Sequence, residues 1–279
     1  DSGAMLQYKG GAWSPQTSGS TRLLRAISGT AQGYFAVGQS GALLRSVSTS
    51  VLSSTAPLAP DFAGVSAVSS TEAWAVGDAG TIYRFDGSAW NKVTSGTGST
   101  LRGVWAAGPD DVWAAGDAGT IVHVKNGSAT AMSGGTTQNL LTVWGTGPND
   151  IWAAGAAGAV VRYTGTSFAP VTGPATSKAI TSIWGNLSSN VWMVAGPDVF
   201  VWNGNNYQKY TPSGTDLAAV AGYGADLYVV GTKGQLHRYS GGNFSLIETG
   251  TRNNLYAVAL SATTLWLAGD NGTILSKAR

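Results

Sequence analysis

Short apolar segments alternate with Gly, Asn and Asp turns along the whole chain, and no run follows the helical period of 3.6 residues. The stretch "VWAAGDAGTIVHV" at 112–124 returns nearly unchanged as "AWAVGDAGTIYRF" at 73–85 and "IWAAGAAGAVVRY" at 151–163. Each copy has an aromatic residue, two glycines and a β-rich tetrad. This pattern predicts short strands joined by tight turns.

The repeat can be counted from the aromatic residue that precedes the first glycine of each copy. The seven aromatics are Phe35, Trp74, Trp113, Trp152, Trp192, Tyr228 and Trp266, at steps of 39, 39, 39, 40, 36 and 38 residues. An apolar segment precedes each aromatic, and a fourth segment follows a turn after the tetrad in most copies. Four strands in roughly 40 residues are typical of a propeller blade.

The predicted fold is therefore all-β, a seven-bladed β-propeller of four-stranded antiparallel blades in a single domain over residues 1–279. The aromatic of each second strand is expected to pack against the next blade, and the flanking glycines to allow positive φ and close approach. The predicted blades cover residues 23–56, 62–95, 101–134, 140–173, 180–212, 217–250, and 255–279 together with 5–16.

The two ends of the chain predict how the ring closes. Residues 5–19, "MLQYKGGAWSPQTSG", align with 82–96, "IYRFDGSAWNKVTSG". An N-terminal strand containing "AWSPQ" is therefore expected to complete the C-terminal blade as its outer strand, which protects sheet edges from pairing with other chains. Residues 5–8 and 273–276 both fit the third strand of that blade, and the sequence does not choose between them.

The unit at 74–90, "WAVGDAGTIYRFDGSAW", resembles Ycf48-like repeats, which belong with the broad sialidase-like (BNR) propellers. The stretch "GVWAAGPDDVWAAGDAGTI" is also similar to repeats of secreted bacterial surface propellers. The resemblance extends through all seven units. Because the shared residues are those that build the blade, it implies the fold more than any one function.

Composition narrows the classes of function. Charged residues make up 11% of the chain, against a usual share of about 25%, and the net charge is +2 without a Lys/Arg cluster. Nucleic-acid binding is not expected, because it requires a basic stripe. No apolar run reaches the ~20 residues of a membrane span. The absence of Cys excludes disulfides and thiolate sites and is consistent with a secreted or periplasmic protein. Together with the resemblance to bacterial surface propellers, it leads us to expect a secreted, periplasmic or outer-surface protein of a bacterium.

The sequence offers little support for a catalytic site or a metal site. The chain has just two glutamates, Glu72 and Glu248, and lacks the Asp-box of sialidase-like enzymes. His123 occupies a repeat position and His237 lies in no motif, so neither predicts a metal site, which needs three or four converging donors. No enzyme activity, metal or cofactor is expected. Three aspartates in the turns have side chains of the type that ligates calcium, but such residues more commonly hydrogen-bond to the backbone of their own turn. They are Asp78, Asp117 and Asp270.

A basic residue recurs on the third strand of five units. These residues are Arg45, Arg84, His123, Arg162 and Arg238. One interpretation is an anion-binding rim. We favour the other, in which each side chain pairs with local acids or covers apolar surface with its stem.

Three tryptophans break the sevenfold symmetry, since Trp105, Trp144 and Trp184 occur in the first strands of blades 3 to 5 only. The other blades have Ser28, Ser66, Ala221 and Ala259 at this position. An arc of indoles near the channel would suit stacking on sugar rings. Packing between neighbouring blades is the favoured interpretation. Together with Arg102, these tryptophans form the predicted ligand-binding set.

The function that we expect from the sequence is non-catalytic binding by an interaction scaffold that is secreted or associated with the cell envelope. The alternative is a carbohydrate-binding propeller, or lectin, and a third possibility is a degenerate sialidase-like glycosidase. The expected partner is a protein or a glycan at the cell envelope, and the expected state is a monomer.

Overall fold

The computed structural model is a ring of seven β-sheets arranged as propeller blades, which confirms the predicted fold class. It describes residues 4–9, 12–17, 22–47, 50–56, 60–212 and 215–278. The first strands of successive blades contact one another around a central channel, and the first strand of blade 7 contacts that of blade 1, so the ring closes.

Blades 1 to 6 each contain four strands in chain order from the channel outwards. Blade 1 consists of Leu24–Thr30, Gly33–Gly38, Ala42–Val47 and Ser50–Thr55; blade 2 of Phe62–Ser69, Glu72–Gly77, Thr81–Phe85 and Trp90–Val93. Blade 3 consists of Leu101–Gly108, Asp111–Gly116, Thr120–Lys125 and Ser128–Ser133; blade 4 of Leu140–Gly147, Asp150–Gly155, Val160–Tyr163 and Phe168–Pro170. Blade 5 consists of Ser182–Leu187, Asn190–Ala195, Asp198–Trp202 and Tyr207–Tyr210; blade 6 of Leu217–Tyr223, Asp226–Gly231, Leu236–Ser240 and Asn243–Ile247.

Blade 7 departs from the four-stranded plan because it has five strands. They are, from the channel outwards, Leu255–Leu260, Thr264–Gly269, Ile274–Ala278, Ala4–Lys9 and Ala12–Thr17. The segment at 274–278 is therefore the third strand, and the N-terminal segment at 5–8 lies in the strand outside it. The strand with "AWSPQ" is outermost, as the sequence predicts.

A tight turn joins the second and third strands in six blades. These one-turn 3-10 segments are Gln39–Gly41, Asp78–Gly80, Asp117–Gly119, Ala156–Gly158, Thr232–Gly234 and Asp270–Gly272. In blade 3, Ala118 and Gly119 both have positive φ (53° and 68°), and the Thr120 N–H donates to the Asp117 carbonyl. This geometry is that of a type I′ turn, whose twist matches the flanking strands.

The two motif glycines serve different purposes. Gly119 needs its positive φ, whereas Gly116 is extended at φ −160°. At both positions a Cβ atom would collide with a backbone carbonyl, that of Thr136 for Gly119 and that of Thr100 for Gly116. The prediction of positive φ is thus wrong for the first glycine, where close backbone approach alone excludes a side chain.

The second-strand aromatics pack between blades, as the sequence predicts. Trp113 is 1% exposed and belongs to one apolar cluster with Leu140, Val143 and Ile151 of blade 4. The same arrangement recurs around the ring, so each blade contributes an aromatic to the core that it shares with the next blade. Burying one large side chain stabilises the fold by about 2–3 kcal/mol, which makes these seven residues a main source of ring stability.

Candidate functional site at the channel and its mouth

The central channel is lined by the first strands of all seven blades and encloses about 320 Å³. Its wall is uneven because the tryptophan arc lies on one side. Trp105, Trp144 and Trp184 are half-buried and line the channel in blades 3 to 5, with the rings of Trp105 and Trp144 6.5 Å apart at a 54° angle. The opposite wall carries small residues at the same position, Ala221, Ala259 and Ser28.

Each indole of the arc lies against a glycine in the first strand of the next blade. A Cβ atom on Gly145 would come within 2.7 Å of the Trp105 ring, and a Cβ on Gly185 within 3.2 Å of the Trp144 ring. The tryptophans also pack onto the inter-blade clusters. Packing between blades, the favoured interpretation, is thus confirmed, whereas sugar stacking stays a prediction.

In blades 1 and 2, which lack the arc, a serine makes a contact with the next blade at this position. The Ser28 hydroxyl accepts a hydrogen bond from the Ala67 N–H at 3.0 Å, and the Ser66 hydroxyl accepts one from the Ala106 N–H at 3.0 Å. A serine of one blade thus contacts an alanine of the next blade, whereas a tryptophan contacts a glycine. This pairing was missed from the sequence, although its signal is present in the repeat alignment.

Arg102 lines the channel together with the tryptophan arc, and it also lines the mouth of the channel, where the first strands begin. The mouth is a funnel of about 650 Å³. Every blade contributes one residue to its ring from the start of the first strand or the residue just before it: Arg25, Ala63, Arg102, Leu141, Thr181, Ala218 and Tyr256. All four predicted site residues therefore line the channel, and Arg102 also lines its mouth.

The two arginines of the mouth are held by carboxylates. Arg102 donates from Nε to Asp117 Oδ1 and from Nη2 to Asp117 Oδ2, the latter at 3.0 Å. Arg25 Nη2 lies 3.3 Å from Asp61 Oδ2. A bidentate carboxylate fixes the plane of a guanidinium, so Arg102 presents its head in a defined orientation. Asp117 thus orients an arginine of the mouth through its side chain.

Tyr256 completes the polar part of the mouth and is 36% exposed. Burial raises the pKa of its hydroxyl above the ordinary value of 10.0, so the hydroxyl is neutral at pH 7. Asp216, Leu217 and Leu255 also line the funnel. Sequence reasoning missed Arg25 and Tyr256, although both align with Arg102 in the repeat.

The basic residues of the third strands do not form an anion-binding ring. Arg84 donates to Glu72 at 2.7 Å and lies over the Trp74 ring at 5.4 Å. Arg162 donates to Asp150 at 2.6 Å and lies 4.5 Å above the Trp152 ring. These contacts confirm local pairing for Arg84 and Arg162, and they extend the interpretation because each of these two arginines also covers a core indole.

His123 follows the same plan. Its ring stacks on Trp113 at 3.7 Å between centroids, and its Nε2 lies 2.8 Å from Asp111 Oδ1. His237 is 3% exposed on the third strand of blade 6, where burial lowers its pKa.

Within the described ranges, no group of three His, Asp or Glu side chains is arranged to hold a metal ion. In that same part of the chain, no helix is long and apolar enough to cross a membrane.

The fold and the channel together define a seven-bladed β-propeller. Among solved structures, the chain is similar to Ycf48 bound to D1 peptide, with a TM-score of 0.72 and 18% identity over 92% of this chain and 93% of that chain. This likeness shows the fold. No family model matches the chain, and no curated protein matches it. Similarity among solved structures is broad, with 1228 matching chains, so the fold alone does not define a function.

Proposed function

We propose that this protein is a non-catalytic binding scaffold, and that the mouth of its channel holds a segment of a partner protein. The observation that carries the proposal is the funnel of about 650 Å³, in which Arg25, Arg102 and Tyr256 surround an apolar wall. Concave, mostly apolar sites with a few placed polar groups are typical of ligand binding. The solved Ycf48 structure, which holds a peptide of D1, supports the choice of a peptide ligand.

Charge balance at the mouth indicates the kind of segment. Arg25 and Arg102 each face a carboxylate, and Asp216 adds another acid to the lining. A polyanion would therefore meet little net positive charge. A peptide with an apolar side chain for the funnel and backbone carbonyls for the guanidiniums fits better, because arginine and tyrosine are the residues that most often anchor such interfaces.

The proposal includes a location and a non-catalytic role. We place the protein outside the cytoplasm of a bacterium, in secreted form or at the cell envelope, which the cysteine-free sequence and the resemblance to surface propellers support. The absence of enzyme activity is supported by Glu72, whose carboxylate is paired with Arg84. A degenerate glycosidase remains the third possibility, and turnover of an aryl glycoside that is lost in Glu72→Gln or Glu248→Gln would favour it.

The carbohydrate-binding alternative rests on the half-buried pair Trp105 and Trp144 in the channel wall. A glycan array distinguishes the two candidates. Specific binding to a glycan that is lost in Trp144→Phe, a change that keeps an aromatic ring against Gly185, would favour the lectin. An array without binding would leave the peptide scaffold.

A peptide-display selection followed by calorimetry tests the proposed function. Peptides that bind the wild-type protein should lose affinity by about tenfold or more in Arg25→Gln and in Arg102→Gln, the loss expected for a central anchoring residue. The matched control is Arg238→Gln, which removes an arginine paired with Asp226 on the third strand of blade 6. Equal affinity for all three variants and the wild type would refute the assignment of the mouth.

A further inference from the structure

Two segments of this chain carry the sequence of the same strand. Residues 4–13, "AMLQYKGGAW", align without a gap with 81–90, "TIYRFDGSAW", which form the third strand of blade 2 and the start of its fourth. Residues 273–278, "TILSKA", align with the same third strand. Blade 7 therefore has two candidates for one position in its sheet.

The structure places both segments in blade 7, one beside the other. Ile274–Ala278 pairs antiparallel with Thr264–Gly269, and Ala4–Lys9 pairs with Ile274–Ala278 in parallel, with Leu6 opposite Leu275. Every other strand pair in the described sheets is antiparallel. The contact between Ala4–Lys9 and Ile274–Ala278 is thus parallel pairing, which is slightly less stable per residue than antiparallel pairing.

The N-terminal hairpin keeps the register of an ordinary outer hairpin. Trp13 pairs with Tyr8 in it, as Trp90 pairs with Phe85 in blade 2. The hairpin is therefore already built as a third and a fourth strand. To occupy those positions in blade 7, it would move inwards by one strand spacing, about 4.8 Å, and keep its direction, because Ala4–Lys9 already runs parallel to Ile274–Ala278.

The position opposite Leu265 decides which segment suits the sheet better. Its partner in the structure is Lys277. The corresponding residues in blades 2 to 6 are Phe85, Val124, Tyr163, Trp202 and Tyr239. In the aligned N-terminal strand the residue is Tyr8. The hairpin thus offers an aromatic residue at a position where the resident strand has a lysine.

We propose that the N-terminal hairpin and Ile274–Ala278 exchange at the third position of blade 7. In the second arrangement Ala4–Lys9 pairs antiparallel with Thr264–Gly269, Ala12–Thr17 becomes the fourth strand, and Ile274–Ala278 is released. Blade 7 then has the four-stranded antiparallel plan of the other blades, and the released segment is free to bind elsewhere. The ring stays closed in both arrangements, so the exchange is a conformational switch within a folded propeller.

Paired cysteines distinguish the two arrangements, because the chain has no Cys of its own. Thr264 is opposite Ala278 in the structure, so Thr264→Cys with Ala278→Cys reports the resident strand. Lys9 would be opposite Thr264 after exchange, but one strand farther away at present, about 10 Å. That distance exceeds the Cα separation of a disulfide, about 7 Å at most. Thr264→Cys with Lys9→Cys therefore reports the exchanged strand.

Both double variants are oxidised gently in the native state, and the crosslinks are identified by mass spectrometry. The proposal predicts that the Lys9–Thr264 variant also closes, within a single chain. Adding Lys277→Tyr or Tyr8→Lys should slow that closure by on the order of tenfold, the effect of one buried side chain. Closure of the Ala278 pair alone would overturn the proposal. A disulfide-linked dimer would overturn it as well, since the hairpin would then come from a second copy.

Discussion

Trp184 lies against Gly222 of the next blade so closely that a Cβ atom on the glycine would come within 2.5 Å of the indole ring. The same relation links Trp105 to Gly145 and Trp144 to Gly185. The sevenfold symmetry is thus broken by matched pairs of residues, one on each side of a blade interface. In a matched pair, the identity of each residue should affect the stability of the protein only when the other residue is present.

We predict that Gly222→Ala destabilises the protein by about 1–3 kcal/mol, the usual cost of overpacking. In a Trp184→Ala background, the same change should be nearly neutral, since the ring that obstructs the methyl group is gone. Chemical denaturation of the four proteins in this double-mutant cycle gives the coupling. Gly147→Ala is the matched control, because nothing lies within 4 Å of a Cβ at the end of that first strand. Equal costs of Gly222→Ala in both backgrounds would contradict the pairing.

Trp113→Ala should cost roughly 3–5 kcal/mol, because it removes a buried indole from the core between blades 3 and 4. For a chain of this size, that loss lowers the melting temperature by roughly 5–10 °C. Differential scanning calorimetry measures it directly. A fall of less than about one degree would contradict a core role for this residue.

Arg162→Lys tests whether the basic position of the third strand contributes through its shape. Lysine keeps the charge near Asp150 but loses the planar group 4.5 Å above Trp152. We expect a loss of about 0.5–1 kcal/mol in the free energy of unfolding, measured with urea. A change within the error of the measurement would mean that charge alone is sufficient. Lys125→Arg, at an exposed ion pair with Asp111, is the control.

His237 predicts a pH dependence of stability. Its folded-state pKa lies below the ordinary 6.5 because of burial, and its Nδ1 has no hydrogen-bond partner among the described residues. Above pH 6.5 the ring is neutral in both states and stability is flat. As the pH falls below 6.5, the unfolded chain binds the proton first, so the folded state loses stability until the folded pKa is reached.

The variant His237→Val isolates this contribution, since valine occupies the same position in blades 3 and 4 as Val122 and Val161. Urea midpoints at pH 7.5 and pH 5 should differ more in the wild type than in the variant. An identical difference in both proteins would show that other groups account for the whole acid sensitivity.

The sequence predicts the ring well because its signal is local and repeated seven times. The aromatic that packs on the next blade and the turn with two glycines are each fixed by a few neighbouring residues. The closing blade is different, because residues 4–13 and 273–278 carry the same local pattern. The choice between them depends on long-range pairing, which a local pattern does not encode.

The candidate site was predicted less completely than the ring. Arg102 was identified, but Arg25 and Tyr256 were not, because a search for unusual clusters along the chain overlooks residues that a ring brings together. Comparing the same position in every repeat would have found all three. The Trp–Gly pairs escaped for the same reason, since each joins a tryptophan to a glycine 38 to 41 residues further along the chain.

Hydrogen exchange with and without a peptide selected by display tests most directly whether the mouth, at the starts of the first strands, is the binding face. We predict added protection around Arg25, Arg102 and Tyr256, with little change at the opposite end of the blades near Glu72 and Asp150. Protection confined to that opposite end, or to the outer strands, would contradict it.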